Sequence, residues 1–321
     1  MTRYVTRRLA GAAIVLFVVA GLTFWLFELL PGDAATVLLS RQGAGQPDPQ
    51  QLAALRSELG LDRPAVERFV EWIVGLTRGD LGTSLLSQRP VAEVMQFRLG
   101  NSLVLAAVTV AILIPLSVLV GLSAGAYPGS RFDRWISSVA LASESVPPFV
   151  IGVLSISWLA LGLGWLPAVS LVPAGTNPLE RPEILVLPVL CLLCGLAPHP
   201  IRVARAQMAE VMNSDYIRTA RINAIPQRRL ILRHAAPNAL SAAVHPLAGA
   251  VVGLLGGIAI VETLFAYPGL AHELLRAISA RDLPFVQSTS VLLAAFGLLT
   301  YLAADLVAMT LTPAGRNVLD R

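Results

Sequence analysis

The residues able to do chemistry in this chain are few, and their spacing excludes more than it offers. Four histidines, His199, His234, His245 and His272, are scattered. No pair has a zinc-site spacing, and His272-Glu273 is not followed by the second histidine of an HExxH site. Cys191 and Cys194 share a helical face inside an apolar run and read as small core residues rather than a metal or redox pair. All 24 basic residues are arginine. Without lysine there is no P-loop amine for a nucleotide's phosphates and no Schiff-base nucleophile. No nucleophile–base or metal constellation is recognisable, so the chain is expected to be non-catalytic, with no metal or cofactor of its own. Four carboxylates in or near apolar stretches remain: Glu28, Glu144, Glu262 and Asp305. Such groups are costly in lipid and normally face protein or a water-filled path. Glu144, just ahead of Pro147-Pro148, is the favoured path residue, with a structural hydrogen bond as the equal alternative. Glu262 and Asp305 join it as path candidates, although Asp305 also fits the inner interface. Glu28 lies where water reaches it.

The elements that must position these groups are set by composition. The chain has 321 residues, 55% hydrophobic and 14% charged, where a soluble domain carries about a quarter charged residues. That is an all-α integral membrane protein. Six apolar stretches are long enough to cross about 30 Å of hydrocarbon: Leu9 to Leu30, Asn101 to Ala126, Trp135 to Trp165, Ile184 to Ile201, Leu240 to Val261 and Ser288 to Leu311. Pro115, Pro147-Pro148 and Pro188 interrupt three of them. Gly249, Gly253, Gly256 and Gly257 permit close helix approach in the fifth.

Residues 1–30 read as a cytoplasmic N-terminus and an uncleaved first span, and 31–98 as a small helical cap outside the membrane. There Asp48 caps a helix from Pro49 with a Leu52, Leu55, Leu59 stripe ended by Gly60, and Val66, Phe69, Val70, Ile73 and Val74 mark a second amphipathic helix. Residues 99–321 hold the other five spans. Arginine counts agree with both termini cytoplasmic: 14 arginines fall in segments assigned inside, three in short outside loops and seven in the long first outside loop, which the positive-inside rule largely exempts.

One inside segment is unusually basic. From Ile201 to His234 there are seven arginines and two acids, within an inside loop spanning 201–239. Ser214 or Asp215 can cap a short helix in which Ile217, Ala220, Arg221 and Ala224 fall on one face, stopped by Pro226. The result is a short cationic helix held on a membrane scaffold, suited to a partner's grip.

The residues of this segment carry a resemblance. Arg218-Thr219-Ala220, Ala224, His234 and Ala236-Pro237 keep the spacing of the cytoplasmic EAA loop of ABC-importer permeases. Asp215-Tyr216-Ile217-Arg218-Thr219-Ala220-Arg221 and Arg233-His234-Ala235-Ala236-Pro237-Asn238 resemble the dipeptide/oligopeptide (OppB/DppB) type. Gly79 to Ser84 (GDLGTS), Ser145 to Phe149 (SVPPF) and Val261 to Leu270 (VETLFAYPGL) resemble three further blocks of that subfamily, in order along the chain. Ala224 departs from the family's glycine. Glycine would allow a positive φ that alanine resists, so either the turn here uses negative φ or the loop is shaped differently.

The resemblance implies a type I importer permease whose loop, residues Asp215, Tyr216, Ile217, Arg218, Thr219, Ala220, Arg221, Ala224, His234 and Pro237, couples it to separate ATPase subunits holding ATP-Mg. Tyr216, Ile217 and Ala220 would fill a groove on the ATPase, with Arg218 and Arg221 at its acidic rim. The bland alternative is that the arginines set topology and touch anionic lipid. Implied partners are a second homologous permease, two ATPases, an extracytoplasmic solute-binding lipoprotein and a peptide substrate, with no nucleic acid. Nickel, haem and glutathione remain as other cargoes. A proton-coupled secondary transporter using the membrane carboxylates is the alternative of a different class.

Overall fold

The computed structural model describes residues 2–42, 48–173 and 176–311. The tail read as an inside segment with Arg316 and Arg321 lies outside the described residues. Among the described residues regular structure is helical, apart from one antiparallel bridge between Thr83 and Pro90. The helices are α1 (Thr2–Leu29), α2 (Ala34–Gln42), α3 (Pro49–Glu58), α4 (Ala65–Thr77), α5 (Val91–Ala126), α6 (Arg131–Glu144), α7 (Pro148–Ser155), α8 (Glu183–Leu196), α9 (Pro198–Met212), α10 (Asp215–Ile222), α11 (Gln227–Arg229), α12 (Ala236–Leu264), α13 (Leu270–Ser279) and α14 (Leu283–Leu311). Two π turns, Ile156–Gly162 and Leu230–Ala235, follow α7 and precede α12.

Four stretches are individually long and apolar enough to cross a membrane: Thr6–Leu29, Val91–Ala126, Gln227–Leu264 and Leu283–Thr310. The third and fourth apolar blocks are bent pairs, α6 with α7 at 95° and α8 with α9 at 46°. Counting each pair as one crossing gives six, the number expected from the sequence. The breaks have local causes. Pro147 and Pro148 have no N–H to donate to the turn before them, so α6 ends at Glu144 and α7 starts afresh with proline in its first turn. Pro198 does the same between α8 and α9, but the chain then stays helical to Met212, well past the expected end at Ile201. Pro115 is carried inside an unbroken α5.

The chain forms two compact units, each interleaved along the sequence: residues 1–6, 103–267 and 297–321, and residues 7–102 and 268–296. In the first, α9 and α12 pack along each other, and small residues set the spacing of α5 against α9 and of α12 against α8. A Cβ on Gly125 of α5 would lie 2.7 Å from Met208 Cβ and against the Arg205 carbonyl. One on Gly121 would lie 2.7 Å from both Ala204 Cβ and the Ile201 carbonyl. Of the α12 glycines, Gly253 and Gly257 face Leu196 and Leu192 and Gly249 faces Tyr301, whereas Gly256 meets nothing within 4 Å. Cys191 is buried, and its thiol donates to the Pro148 carbonyl at 3.0 Å.

The second unit has its own core of Val91, Met95, Leu270, Ala277, Phe285 and Val286. This explains why α5 begins at Val91 rather than at Asn101: its first ten residues are a packed extension of the span. Asp48 caps α3 through the Gln50 amide and Gly60 follows at φ +65°, as the sequence predicts. Phe69 of α4 rests over Gly21 of α1, between Phe17 and Phe24. Helices α2 and α13 are additions to the sequence reading. Asp33 caps α2 through the Thr36 amide and hydroxyl at 2.9 and 2.6 Å and also accepts from Arg56 Nε at 2.7 Å. Burial works to raise its carboxyl, but the Thr36 and Arg56 hydrogen bonds outweigh it and hold it below the usual carboxylate range.

Two outcomes follow from this packing. Gly125→Ala should lower the thermal midpoint in nanodiscs, at a cost of about 1–3 kcal/mol for overpacking, while Gly256→Ala should not. Because the folded Asp33 pKa is depressed, its stabilisation is complete above the unfolded value of about 3.9 and is lost as pH falls through the folded value. Hydrogen-exchange protection of the α2 amides should therefore fall below about pH 4, and an Asp33→Asn chain should lack that step.

Candidate functional site

The basic segment is built from the inside outwards. Ile217 of α10 is fully buried, in a cluster with Met208 and Met212 of α9, Leu230 and Ala235 of the π turn, and Ala239 of α12. Ala220 packs against the same cluster. Ile217 therefore turns into the chain's own core and is not free to fill a partner's groove, because burying it is what fastens the helix, whereas Ala220 is only partly covered. What α10 presents outward is Tyr216 at 46% exposure, Arg218, Arg221 and Ile222 at 78%. The sequence points to Pro226 as the stop, whereas α10 ends at Ile222 and leaves that side chain outward. Ser214 occupies the N-cap position, but its hydroxyl donates back to the Val211 carbonyl. Asp215 heads the helix with its carboxylate 3.6 Å from Arg218.

The two halves of the recognised segment bond to each other. The Asn238 amide donates to the Tyr216 hydroxyl and to the His234 carbonyl, both at 3.0 Å, and the Tyr216 hydroxyl donates weakly to that carbonyl at 3.4 Å. Tyr216, His234 and Asn238 thus tie α10 to the base of α12, where Pro237 sits in the first turn that needs no donor. His234 and Pro237 are exposed.

Ala224 resolves the open alternatives in a third way. It adopts φ +53° itself. The Ile225 amide bonds to the Ala220 carbonyl and the Ala224 amide to the Arg221 carbonyl, the paired bonds of a Schellman terminus with alanine where glycine is usual. With Ile225 packed against the core, the terminus keeps its shape despite the Cβ.

Beneath this helix, α9 is bolted to α6. Arg205 Nε and Nη2 each reach an oxygen of Asp133 at 2.6 Å, and the Gly129 amide adds a third bond at 2.8 Å. Asp133 is 2% exposed. Sequence reading passed over this pair because Asp133 and Arg205 are 72 residues apart and each lies in an ordinary-looking charged loop. Arg202, one turn before Arg205, pairs with Glu144 at the end of α6.

The other singled-out carboxylates are dispersed. Glu262 is fully buried near the end of α12, beside Tyr267, whose phenol is raised well above its usual range by burial and then by that carboxylate. Asp305 bonds His245 Nε2 at 2.9 Å. Glu28 receives Arg68 of α4 at 2.7 and 2.8 Å. The structure does not bring Glu144, Glu262 and Asp305 into one cluster, and no group of three or more metal-ligating side chains occurs among the described residues.

The GDLGTS and VETLFAYPGL motifs also acquire contacts. Asp282 accepts from Ser84 Oγ at 2.5 Å and from the Leu85 and Leu86 amides, so the end of GDLGTS is clamped to the turn between α13 and α14. Asn101 and Ser102 of α5 hold the Pro268 carbonyl and the Leu270 amide.

A multi-span helical scaffold presenting one short, cationic, internally fastened helix is an integral membrane protein, and its relatives give its class. Residues 114–314 match the family described as "Binding-protein-dependent transport system inner membrane component", and residues 1–106 match its companion N-terminal family. The chain belongs to that family of multi-pass inner-membrane proteins. It is 39% identical over 294 residues, 91% of this chain and 92% of the other, to a Brucella abortus (strain 2308) protein provisionally named a peptide transport system permease protein. It is 31% identical over 316 residues, 98% of this chain and 99% of the other, to the glutathione transport system permease protein GsiC of Escherichia coli O6:H1 (strain CFT073). The corresponding protein of Salmonella typhimurium (strain LT2) matches at 31% over the same shares.

Since alanine at positive φ costs about 1 kcal/mol more than glycine, Ala224→Gly should slow amide exchange through Arg221 to Ile225 about fivefold. Unchanged or faster exchange there would contradict the strained terminus.

Proposed function

We propose that this chain is the membrane-spanning subunit of an ATP-driven importer of di- or oligopeptides, coupled to its motor through α10. The observation that carries the reading is the construction of α10: Ile217 is buried, and Tyr216, Arg218, Arg221 and Ile222 are left exposed around it, with Arg221 at the edge of the buried face. A helix fixed on one side and apolar-plus-cationic elsewhere suits a groove with an acidic rim on a cytoplasmic ATPase. ATP-Mg would be held and hydrolysed there, with this chain contributing no catalytic group. A second homologous permease would complete the translocation path, and an extracytoplasmic solute-binding protein would deliver cargo. Both termini would face the cytoplasm. Membership of a binding-protein-dependent transport family supports this arrangement.

Two relatives named for different cargo favour a peptide class over nickel or haem. One is named for peptide transport and the other for glutathione transport, and glutathione is itself a small peptide. A short peptide, including glutathione, is therefore the proposed cargo. Glu144 is placed by this reading in a service role, steadying Arg202 at the α6 break, with path contact as its second use.

In nanodiscs with the partner subunits, binding protein and short peptides should stimulate ATP hydrolysis. Arg221→Glu, which reverses one rim charge, should reduce that stimulation roughly tenfold, a loss of about 1.4 kcal/mol in docking. Full stimulation in the variant would refute docking through α10. A chain that purifies without ATPases and moves solute only under a proton gradient would replace the importer reading altogether.

A further inference from the structure

Helix α4 presents three different faces. Arg68 and Phe69 turn toward α1. Val66, Val70 and Val74 recur every fourth residue along a second face and are 59%, 52% and 42% exposed. Glu67 and Glu71 each lie about 100° round from the valine before them. Both are exposed and lie near Arg63, which bonds Glu71 at 2.7 Å. A valine stripe left bare beside a carboxylate ridge is unfavourable in water and suited to a boundary between apolar and aqueous phases.

The level at which α4 meets α1 decides which phase covers the valines. Thr6–Leu29 is one of the stretches long and apolar enough to cross a membrane. Arg7 and Arg8 mark one end of it, and about 20 residues beyond them, the length that crosses the hydrocarbon, end at Glu28. Phe69 rests over Gly21, with its ring centroid 5.2 Å from that of Phe24 and 6.2 Å from that of Phe17. Phe24 and Phe17 lie five and twelve positions before Leu29, or about 8 and 18 Å inside the end of the helix. Half of a bilayer's hydrocarbon is about 15 Å deep, so this contact lies beside hydrocarbon. Arg68 lies over the Phe24 ring at 5.8 Å and gives Glu28 two hydrogen bonds, at 2.7 and 2.8 Å. That pairing supplies the partner that a carboxylate at the end of a span requires. The exposed ridge of α4 is acidic, so its anchoring comes from α1 and not from attraction to anionic headgroups.

We propose that α4 is an interfacial membrane helix, lying in the leaflet at the C-terminal end of α1, with Val66, Val70 and Val74 covered by acyl chains and Glu67 and Glu71 on the water side. The connection between α1 and α5 is then partly a membrane element rather than a cap standing clear of the surface. Under the topology proposed above this is the outer leaflet. The choice of leaflet rests on that topology, and the covering of the valines by lipid does not.

The test uses the full chain in nanodiscs, alone and assembled with its partner subunits. Val66→Cys, Val70→Cys, Val74→Cys, Glu67→Cys and Glu71→Cys are made singly in a Cys191→Ala, Cys194→Ala chain and carry nitroxide labels. Power saturation compares collisions with oxygen, which partitions into lipid, and with a nickel chelate, which stays in water. A melting midpoint equal to wild type verifies the fold. If the double background lowers it, the Cys194→Ala chain serves, because Cys191 is buried. The oxygen-to-nickel collision ratio should be severalfold higher at the three valines than at the two glutamates, in both preparations. Nickel exceeding oxygen at the valines places the stripe in water and overturns the proposal. Neither reagent reaching the valines in the assembled complex assigns them to a protein neighbour, the second permease or the binding protein, and overturns it as well. Reaction of Glu71→Cys with an impermeant maleimide in right-side-out vesicles reports separately on the leaflet, so a wrong orientation and a wrong occupant are told apart.

Discussion

A half-buried ion pair between α6 and α9, enclosed at its Asp133 end, is the constraint on which the rest of this molecule leans. A carboxylate as enclosed as Asp133 is tolerated only when its lone pairs are filled, and two guanidinium nitrogens and the Gly129 amide fill them. Such a pair is a poor source of net stability but a strict demand on geometry, because misalignment strands a charge out of water. Its strictness explains the glycines opposite. Gly121 and Gly125 let α5 come close to the backbone that carries Arg205, and a Cβ at either would push that backbone away from Asp133. α9 is thereby a rigid post, and α10, rooted by Ile217 in the cluster that α9 supplies, inherits its position.

Much of this plan was legible in the sequence because hydrophobicity and proline are local signals. Apolar length marked six crossings, the Pro147-Pro148 pair marked the sharp break, and Asp48-Pro49 with Gly60 marked both ends of α3. Where the reading failed, the decisive partner was distant in sequence or the stretch reads as a loop. α13 lies in a stretch read only as an outside loop, although its ten residues are as many as those of α3 and strongly amphipathic, and its apolar face packs against Val91 and Phe285. α2 depends on a cap, Asp33, that looked like one acid among several in a charged loop. Ile217 and Ala220 were placed on one face correctly, but a pattern of faces does not say which face is inward. That choice was made by Met208, Met212, Leu230 and Ala239, none of which belongs to the recognised motif.

Three of the recognised blocks are pairs of chain segments held together. Asp215-Tyr216 and His234 to Asn238 meet across a turn. GDLGTS closes on Asp282. The run from Glu262 to Leu270 needs Ala266 at φ +51° and is held beyond that by Asn101 and Ser102. In each case a side chain satisfies a backbone group that irregular structure leaves open.

The π turn at Leu230–Ala235 has a further consequence for the length of the chain. A π turn holds about one residue more than an α turn of similar rise. The extra residue is absorbed there, so everything beyond it is turned by roughly 100° relative to an uninterrupted α-helix. The buried side of α12, with Ala239, Ala243, Leu247, Leu254 and Ile258, therefore owes its facing to a bulge at its foot. Losing one residue from that bulge would leave a smoother helix, yet it would swing those residues out of the packed side and bring a flank of α12 roughly 100° round against α8 and α9. The facing of a whole membrane helix is thus encoded as a residue count in six positions at its root.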